Sequence, residues 1–140
     1  MKRHVHTVLR LLVGSIFLAS GALKLISPDG TSKFISRVLS TGEQISHWAA
    51  IVLAITEVAL GLTLLTILGK HPIPSLFSSA LILSFLLMGA PLTSDPIQCG
   101  CFGEFMESAT DTSFLLRNFL LLFASMALMK LSQSDEATSE

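Results

Sequence analysis

Four long apolar runs constrain this chain more than anything else in it. A helix needs about 20 predominantly apolar residues to cross about 30 Å of hydrocarbon. Such runs lie at about residues 7–26 (TVLRLLVGSIFLASGALKLI), 47–68 (HWAAIVLAITEVALGLTLLTIL), 73–92 (IPSLFSSALILSFLLMGAPL) and 113–131 (SFLLRNFLLLFASMALMKL). They are continuous rather than alternating and about twice the length of a barrel strand, which argues against a membrane β-barrel. Only 14% of the chain is charged, against about 25% in a soluble domain. The sequence therefore predicts an all-α fold, a four-helix transmembrane bundle forming one membrane domain over residues 1–131. The acidic tail at 132–140, SQSDEATSE, is too poor in apolar residues to fold on its own.

Punctuation between the runs agrees with this division. Ser27-Pro28-Asp29-Gly30 ends the first run, and Gly69-Lys70-His71-Pro72 makes a tight connection after the second. Pro72 and Pro74 fall where the first turn of the third helix would lie, and a proline there gives up an N–H that has no partner anyway. Between the first two spans, Lys33, Phe34, Ile35, Arg37, Val38 and Leu39 place apolar residues at helical spacing, the pattern of a short amphipathic helix on the membrane surface. The front of the chain has a rival reading as a secretory signal, with Lys2 and Arg3 before an apolar stretch and Ala19-Ser20-Gly21-Ala22 as a small-residue cleavage site. Arg10 interrupts that apolar core, and the stretch is long enough to span.

The cations set an orientation. Lys2, Arg3, Arg10, Lys70 and Lys130 share one side of a four-span topology, and Lys24, Lys33, Arg37 and Arg117 share the other. The positive-inside rule puts the larger set, and with it both termini, in the cytoplasm. In a bacterial inner membrane the segment from Thr93 to Thr112 then faces the oxidising periplasm.

That segment contains both cysteines of the chain, in Gln98-Cys99-Gly100-Cys101-Phe102-Gly103. A disulfide over a single residue requires a bent backbone, and Gly100 is the residue best able to bend. Such a ring constrains little chain, so stabilisation is a poor reason for it. Strained, accessible disulfides are the exchangeable ones. Three readings stand open: thiol exchange, inert thiols packed beside Phe102 and Phe105, and a metal site. Metal is the weakest, because two thiolates need two more ligands and His47 is the only histidine expected on that side. His4, His6 and His71 read as solvated.

Glu57 is the other residue that demands an account. A carboxylate about ten residues into a span costs about 3 kcal/mol near the bilayer centre. It must face the bundle interior, either neutral or paired with a cation. Lys24 near the outer end of the first span and Arg117 one turn into the fourth are the candidate partners, and Asn118 can add a hydrogen bond. The cluster reads either as a proton path or quinone contact, or as a polar clamp that fixes helix register. For Arg10, Lys24 and Lys130 the simplest account is that each extends its head group to the nearby interface. Small or polar pairs four apart mark possible packing faces: Ser15 and Ala19, Ala50 and Ala54, Glu57 and Gly61, Ser75 and Ser79, Ala80 and Ser84. There is no glycine-rich phosphate loop, nucleophile elbow or basic stripe.

Cys99-Gly100-Cys101-Phe102-Gly103 before the last span, followed by Arg117-Asn118 at its start, resembles the MauE family of methylamine-utilisation membrane proteins. The first span, with Arg10, Gly21 and Lys24, and the second, with Glu57 and Gly61, resemble the same family and the wider DoxX-like group. The resemblance covers all four spans and is most specific at Cys-x-Cys-Phe-Gly. It implies a redox-associated integral membrane protein that works with a thioredoxin-like partner in maturing a disulfide-containing periplasmic client such as an amine dehydrogenase. Cys99 and Cys101 would be the redox pair, Gly100, Phe102 and Gly103 would shape their loop, and Glu57, Lys24, Arg117 and Asn118 would support it. No resident metal is implied. Membrane disulfide generators of the DsbB type use two cysteine pairs to reach a quinone, whereas this chain has one. A full relay would need the partner's pair, or one pair doing both jobs. A non-catalytic assembly factor and a DoxX-like quinone-linked respiratory subunit are the alternatives.

Overall fold

The computed structural model describes residues 2–66, 72–89 and 112–136, with side chains described within 4–66, 72–89 and 115–133. Among the described residues there are five α-helices and no strand: α1 (Lys2–Ile26), α2 (Asp29–Leu39), α3 (Glu43–Leu65), α4 (Pro72–Gly89) and α5 (Thr112–Glu136). Four are long and apolar enough to cross a membrane, over His4–Ile26, Glu43–Leu65, Pro72–Gly89 and Leu115–Gln133. The all-α transmembrane bundle read from the sequence is the fold observed. The protein is a multi-pass membrane protein.

The helix ends show what continues and what stops each span. α1 begins five residues ahead of the expected span, because an established helix extends at little cost through Lys2, Arg3 and His4. α3 begins at Glu43, whose acidic side chain suits the positive end of a helix dipole. α4 opens on Pro72, with Pro74 also in its first turn, where neither proline removes a needed donor. α5 runs on to Glu136, past the expected end at Leu131, so the first part of the acidic tail is helical. Ser132 is buried there, which ties that extra turn to the bundle. The expected connection at Gly69-Lys70-His71 lies outside the described residues.

α1 pairs chiefly with α3, and α4 with α5; α1 against α5 and α3 against α4 join the two pairs. In a bilayer the lipid tails are as apolar as leucine, so helices associate by close packing and polar contact rather than by escaping water. α1 and α3 follow this rule closely. A Cβ on Gly61 would come within 2.7 Å of the Leu18 backbone nitrogen, and one on Gly21 within 2.8 Å of the Ala54 carbonyl oxygen. Those backbones touch because neither glycine has a side chain to hold them apart. Ala50, Ala54, Glu57, Gly61 and Leu64 are the buried positions of α3 after Ser46, spaced four, three, four and three. That repeat is the signature of one seam along a helix.

Large residues such as Phe123, Leu87 and Val52 are exposed on the outer faces, where lipid would cover them. Inside lie two apolar clusters. Val13, Phe17, Leu64, Ile82 and Leu128 form one, and Phe34, Ile35 and Ala50 the other, with Phe85, Met88 and Leu115 packed against the second.

α2 is the short amphipathic helix that the spacing predicts. It buries Gly30, Thr31, Phe34 and Ile35 and leaves Lys33 and Arg37 exposed. It ends at Ser40, in the left-handed region with φ 51°, and Thr41 and Ser46 then share a 2.8 Å hydroxyl contact that leads into α3.

Of the small-residue pairs, Ala50 with Ala54 and Glu57 with Gly61 are buried between helices. Ser75 is buried and Ser79 half-buried. Ser15, Ala19, Ala80 and Ser84 are exposed, so those two pairs do not pack within this chain. Spacing puts residues on one face without saying what that face meets. His6, read from the sequence as solvated, is buried at 7% exposure.

Candidate functional site

The two apolar clusters are separated by a charged centre. Lys24 and Glu57, each 2% exposed, form a buried ion pair between α1 and α3, with Lys24 Nζ donating to Glu57 Oε1. Ser20 closes the loop: its hydroxyl donates to Glu57 Oε2 at 3.0 Å and accepts from Lys24 Nζ at 3.1 Å. Both carboxylate oxygens thus have a donor.

Local sequence explains the placement. Gly21 lies three residues before Lys24, and Ala54 three before Glu57, so this close approach of the two helices falls one turn from the pair. Ser20 and Lys24 are four apart and share a helix face. The Lys24 stem is thus held beside α3, and the ammonium reaches Glu57 inside the bundle. This corrects the expectation that Lys24 extends to the interface. An unpaired carboxylate at this depth is too costly, and Lys24 is turned inward to meet it. Lys130, by contrast, is exposed, and Arg10 is half-buried with its Nε lacking a hydrogen-bond partner among the described residues.

The Phe85 ring covers the ammonium, with Lys24 Nζ 5.0 Å from its centroid, a cation–π distance. Phe85 also stacks on Phe34 of α2, centroids 6.4 Å apart and planes 30° apart. Through these contacts the surface helix is joined to the buried pair. A cavity of about 50 Å³ adjoins the centre, with Ser20, Lys24, Glu57, Phe85, Arg117 and Asn118 on its wall. Four polar residues singled out in the sequence, from α1, α3 and α5, thus meet at one place. Ser20 and Phe85 were not singled out. The serine had a usable signal in its four-residue spacing from Lys24. Phe85 had none, because only the packing of α4 brings it over the ammonium.

Cys99, Gly100, Cys101, Phe102 and Gly103 lie outside the described residues. Among the described residues no group of histidine, cysteine and carboxylate side chains could hold a metal ion. His47 lines a cleft between α2 and α3 with Asp29, Lys33 and Glu43.

The pattern of an intramembrane ion pair carried by the first two spans, and a cysteine pair before the last, can be set against known families. A family model described as methylamine utilisation protein MauE matches residues 2–131. The chain belongs to the MauE family. The match takes in the first three spanning helices, the fourth as far as Leu131, the buried pair and the segment with both cysteines. Neither the curated proteins nor the solved structures include a match to this chain. What this MauE-family member adds is the internal geometry of its spans: a charged centre closed by a serine and covered by a phenylalanine.

Proposed function

We propose that this MauE-family protein supports thiol–disulfide exchange on the outer face of a bacterial inner membrane through Cys99 and Cys101. The observation that carries this reading is the occurrence of both cysteines, one residue apart, before the last span of a chain that the MauE family covers over residues 2–131. A client thiolate attacks one sulfur of the Cys99–Cys101 disulfide and forms a mixed disulfide. A second client thiolate then displaces the protein's cysteine, leaving the client oxidised and Cys99 and Cys101 as thiols. Two electrons and two protons have passed to the pair, and a thioredoxin-like partner or a membrane acceptor must remove them. The partner or client is thus a periplasmic protein with its own cysteines, such as the disulfide-containing subunit of an amine dehydrogenase. Residues 1–131 act as one domain in this reading, with both termini cytoplasmic. The Glu57, Lys24, Arg117 and Asn118 centre supports the outer segment from within the bilayer, while Gly100, Phe102 and Gly103 shape it.

The test is client oxidation in cells carrying Cys99→Ser, Cys101→Ser. Loss of client disulfides with normal membrane insertion is the expected result. Full client oxidation in that variant overturns the reading. Labelling of intact spheroplasts with an impermeant maleimide after reduction checks the orientation, and labelling only in permeabilised cells would invert it.

A second reading, a non-catalytic assembly factor, draws on the closed hydrogen-bond loop of Lys24, Ser20 and Glu57, which suits a clamp. Full complementation by the cysteine-free variant would favour it.

A further inference from the structure

α2 borders two separate spaces. Its apolar side covers a cavity of about 190 Å³, divided from the charged centre by Leu81 and Phe85. Its polar side is one wall of an open cleft of about 600 Å³, and the first turns of α3 are the other, with Asp29, Lys33, Glu43, Gln44, His47 and Trp48 in the lining. This cleft lies at headgroup level. Glu43 opens a spanning helix whose apolar run begins at His47. That interval is a rise of about 6 Å along the helix, and one headgroup layer is about 5–7 Å thick. Trp48, exposed on the wall, is of the residue type that settles at that level.

Both walls carry the same pattern. In α2 Asp29 is followed four residues on by Lys33, and in α3 Glu43 is followed by His47, so each helix offers an acceptor and a donor on one face. Among the described residues neither pair closes into a salt bridge, and none forms across the cleft. A carboxylate only accepts and a lysine ammonium only donates. The ligand that satisfies both therefore carries a cationic donor and an anionic acceptor on one short frame. An anionic headgroup would meet two carboxylates against one lysine. A bare divalent cation fits poorly, because among the described residues no three histidine, cysteine or carboxylate side chains gather closely enough to hold a metal ion. A choline headgroup has both charges but no N–H to give to Asp29 or Glu43.

We propose that the α2–α3 cleft binds the headgroup of an ethanolamine phospholipid, its ammonium donating to Asp29 and Glu43 and its phosphate accepting from Lys33 and His47. The acyl chains stay in the bilayer beside Trp48. Charge-assisted bonds of both signs then hold one headgroup between the surface helix and the start of α3. The cysteines play no part in this site, so it stands or falls apart from the thiol-exchange reading.

The experiment titrates the full chain in detergent micelles with phosphatidylethanolamine, phosphatidylcholine and phosphatidylglycerol of identical acyl chains, and counts bound lipid by native mass spectrometry. Saturable binding of one phosphatidylethanolamine, tighter than either of the others, is expected. Asp29, Lys33 and Glu43 are exposed, so replacing them leaves the fold intact, which circular dichroism checks. Asp29→Asn with Glu43→Gln, and separately Lys33→Gln, should each raise the half-saturating concentration of phosphatidylethanolamine about tenfold, the equivalent of 1.4 kcal/mol. Lys130→Gln, which alters a cation outside the cleft, should leave it unchanged. Equal binding of the three lipids, tightest binding of phosphatidylglycerol, or indifference to the carboxylate substitutions overturns the site. Soluble glycerophosphoethanolamine bound as tightly as the lipid would overturn the assignment to a bilayer lipid. A photocrosslinking residue at Gln44 in intact membranes should give an adduct of lipid mass, and a protein-sized adduct instead would reassign the cleft to a protein partner.

Discussion

The α1–α3 and α4–α5 pairs solve the same problem by different means. Between α1 and α3, glycines bring the backbones into contact, and a full ion pair is sealed beside that contact. Between α4 and α5 the glue is hydroxyl: Ser79 donates to Ser125 at 2.9 Å, and Ser125 donates to the Ser75 carbonyl at 3.1 Å. The serines of α4 also bond to carbonyls of their own helix, Ser75 to Pro72 at 2.7 Å and Ser78 to Ser75 at 2.9 Å. A hydroxyl that loses its cross-helix partner thus keeps a bond at home. A charge that loses its partner does not. The first interface is therefore intolerant of change and the second is forgiving, although both are built from small and polar residues.

That contrast is broken most directly at the ion pair. Glu57→Leu strips the buried Lys24 ammonium of its carboxylate and leaves it the Ser20 hydroxyl, and a stranded buried charge costs about 3–5 kcal/mol. Lys24→Met should cost a similar amount. The double substitution Lys24→Met, Glu57→Leu should recover most of the loss, because apolar replacement of a whole buried pair is often neutral. Reversible unfolding in mixed micelles measures all three, and a double variant as unstable as the singles would show that the pair does more than cancel charge.

A smaller effect is expected at the glycines, and it should be graded. Gly61→Ala and Gly21→Ala each place a Cβ under 3.0 Å from backbone atoms of the facing helix, and overpacking of this kind costs about 1–3 kcal/mol. At Gly14 the three atoms nearest an added Cβ are side-chain atoms of Leu65 and Leu64, at 3.0 to 3.2 Å. Those can shift, and alanine gains about 1 kcal/mol of helix propensity over glycine, so Gly14→Ala should be close to neutral. Thermal unfolding of the three variants checks the order. Equal losses at all three sites would mean that the close approach is not confined to Gly21 and Gly61.

The smallest effect should come from Ser125→Ala. Cross-helix hydroxyl bonds in membrane proteins average about 0.6 kcal/mol, and the α4 serines retain their carbonyl partners. A loss as large as that of Glu57→Leu would erase the contrast between the two interfaces.

How much of this could be read in advance differs by residue. Glu57 was legible because its position in an apolar run is expensive in any arrangement, so it had to face inward and find a donor. Lys24 was half-legible. Its place near a helix end suited both the interface and a partner, and only the α1–α3 contact selects the partner. Ser15 with Ala19 has the same four-residue spacing as Ala50 with Ala54, yet the first pair is exposed and the second buried. Phe85 gave no sign of its part, since nothing local to α4 indicates a cation from α1.

By itself, then, the sequence determined the helices, their number among the apolar runs, the amphipathic α2 and the need for Glu57 to be satisfied. These depend on hydropathy, on helical periodicity and on the cost of a charge in hydrocarbon, all of which act along the chain. The tertiary structure alone decided that α1 lies against α3 closely enough to seal Lys24 with Glu57, that Ser20 completes the loop, and that Phe85 separates the charged centre from an apolar groove. Those outcomes depend on which faces meet across helices, and in a bilayer that choice is made by small differences in packing rather than by the hydrophobic pattern.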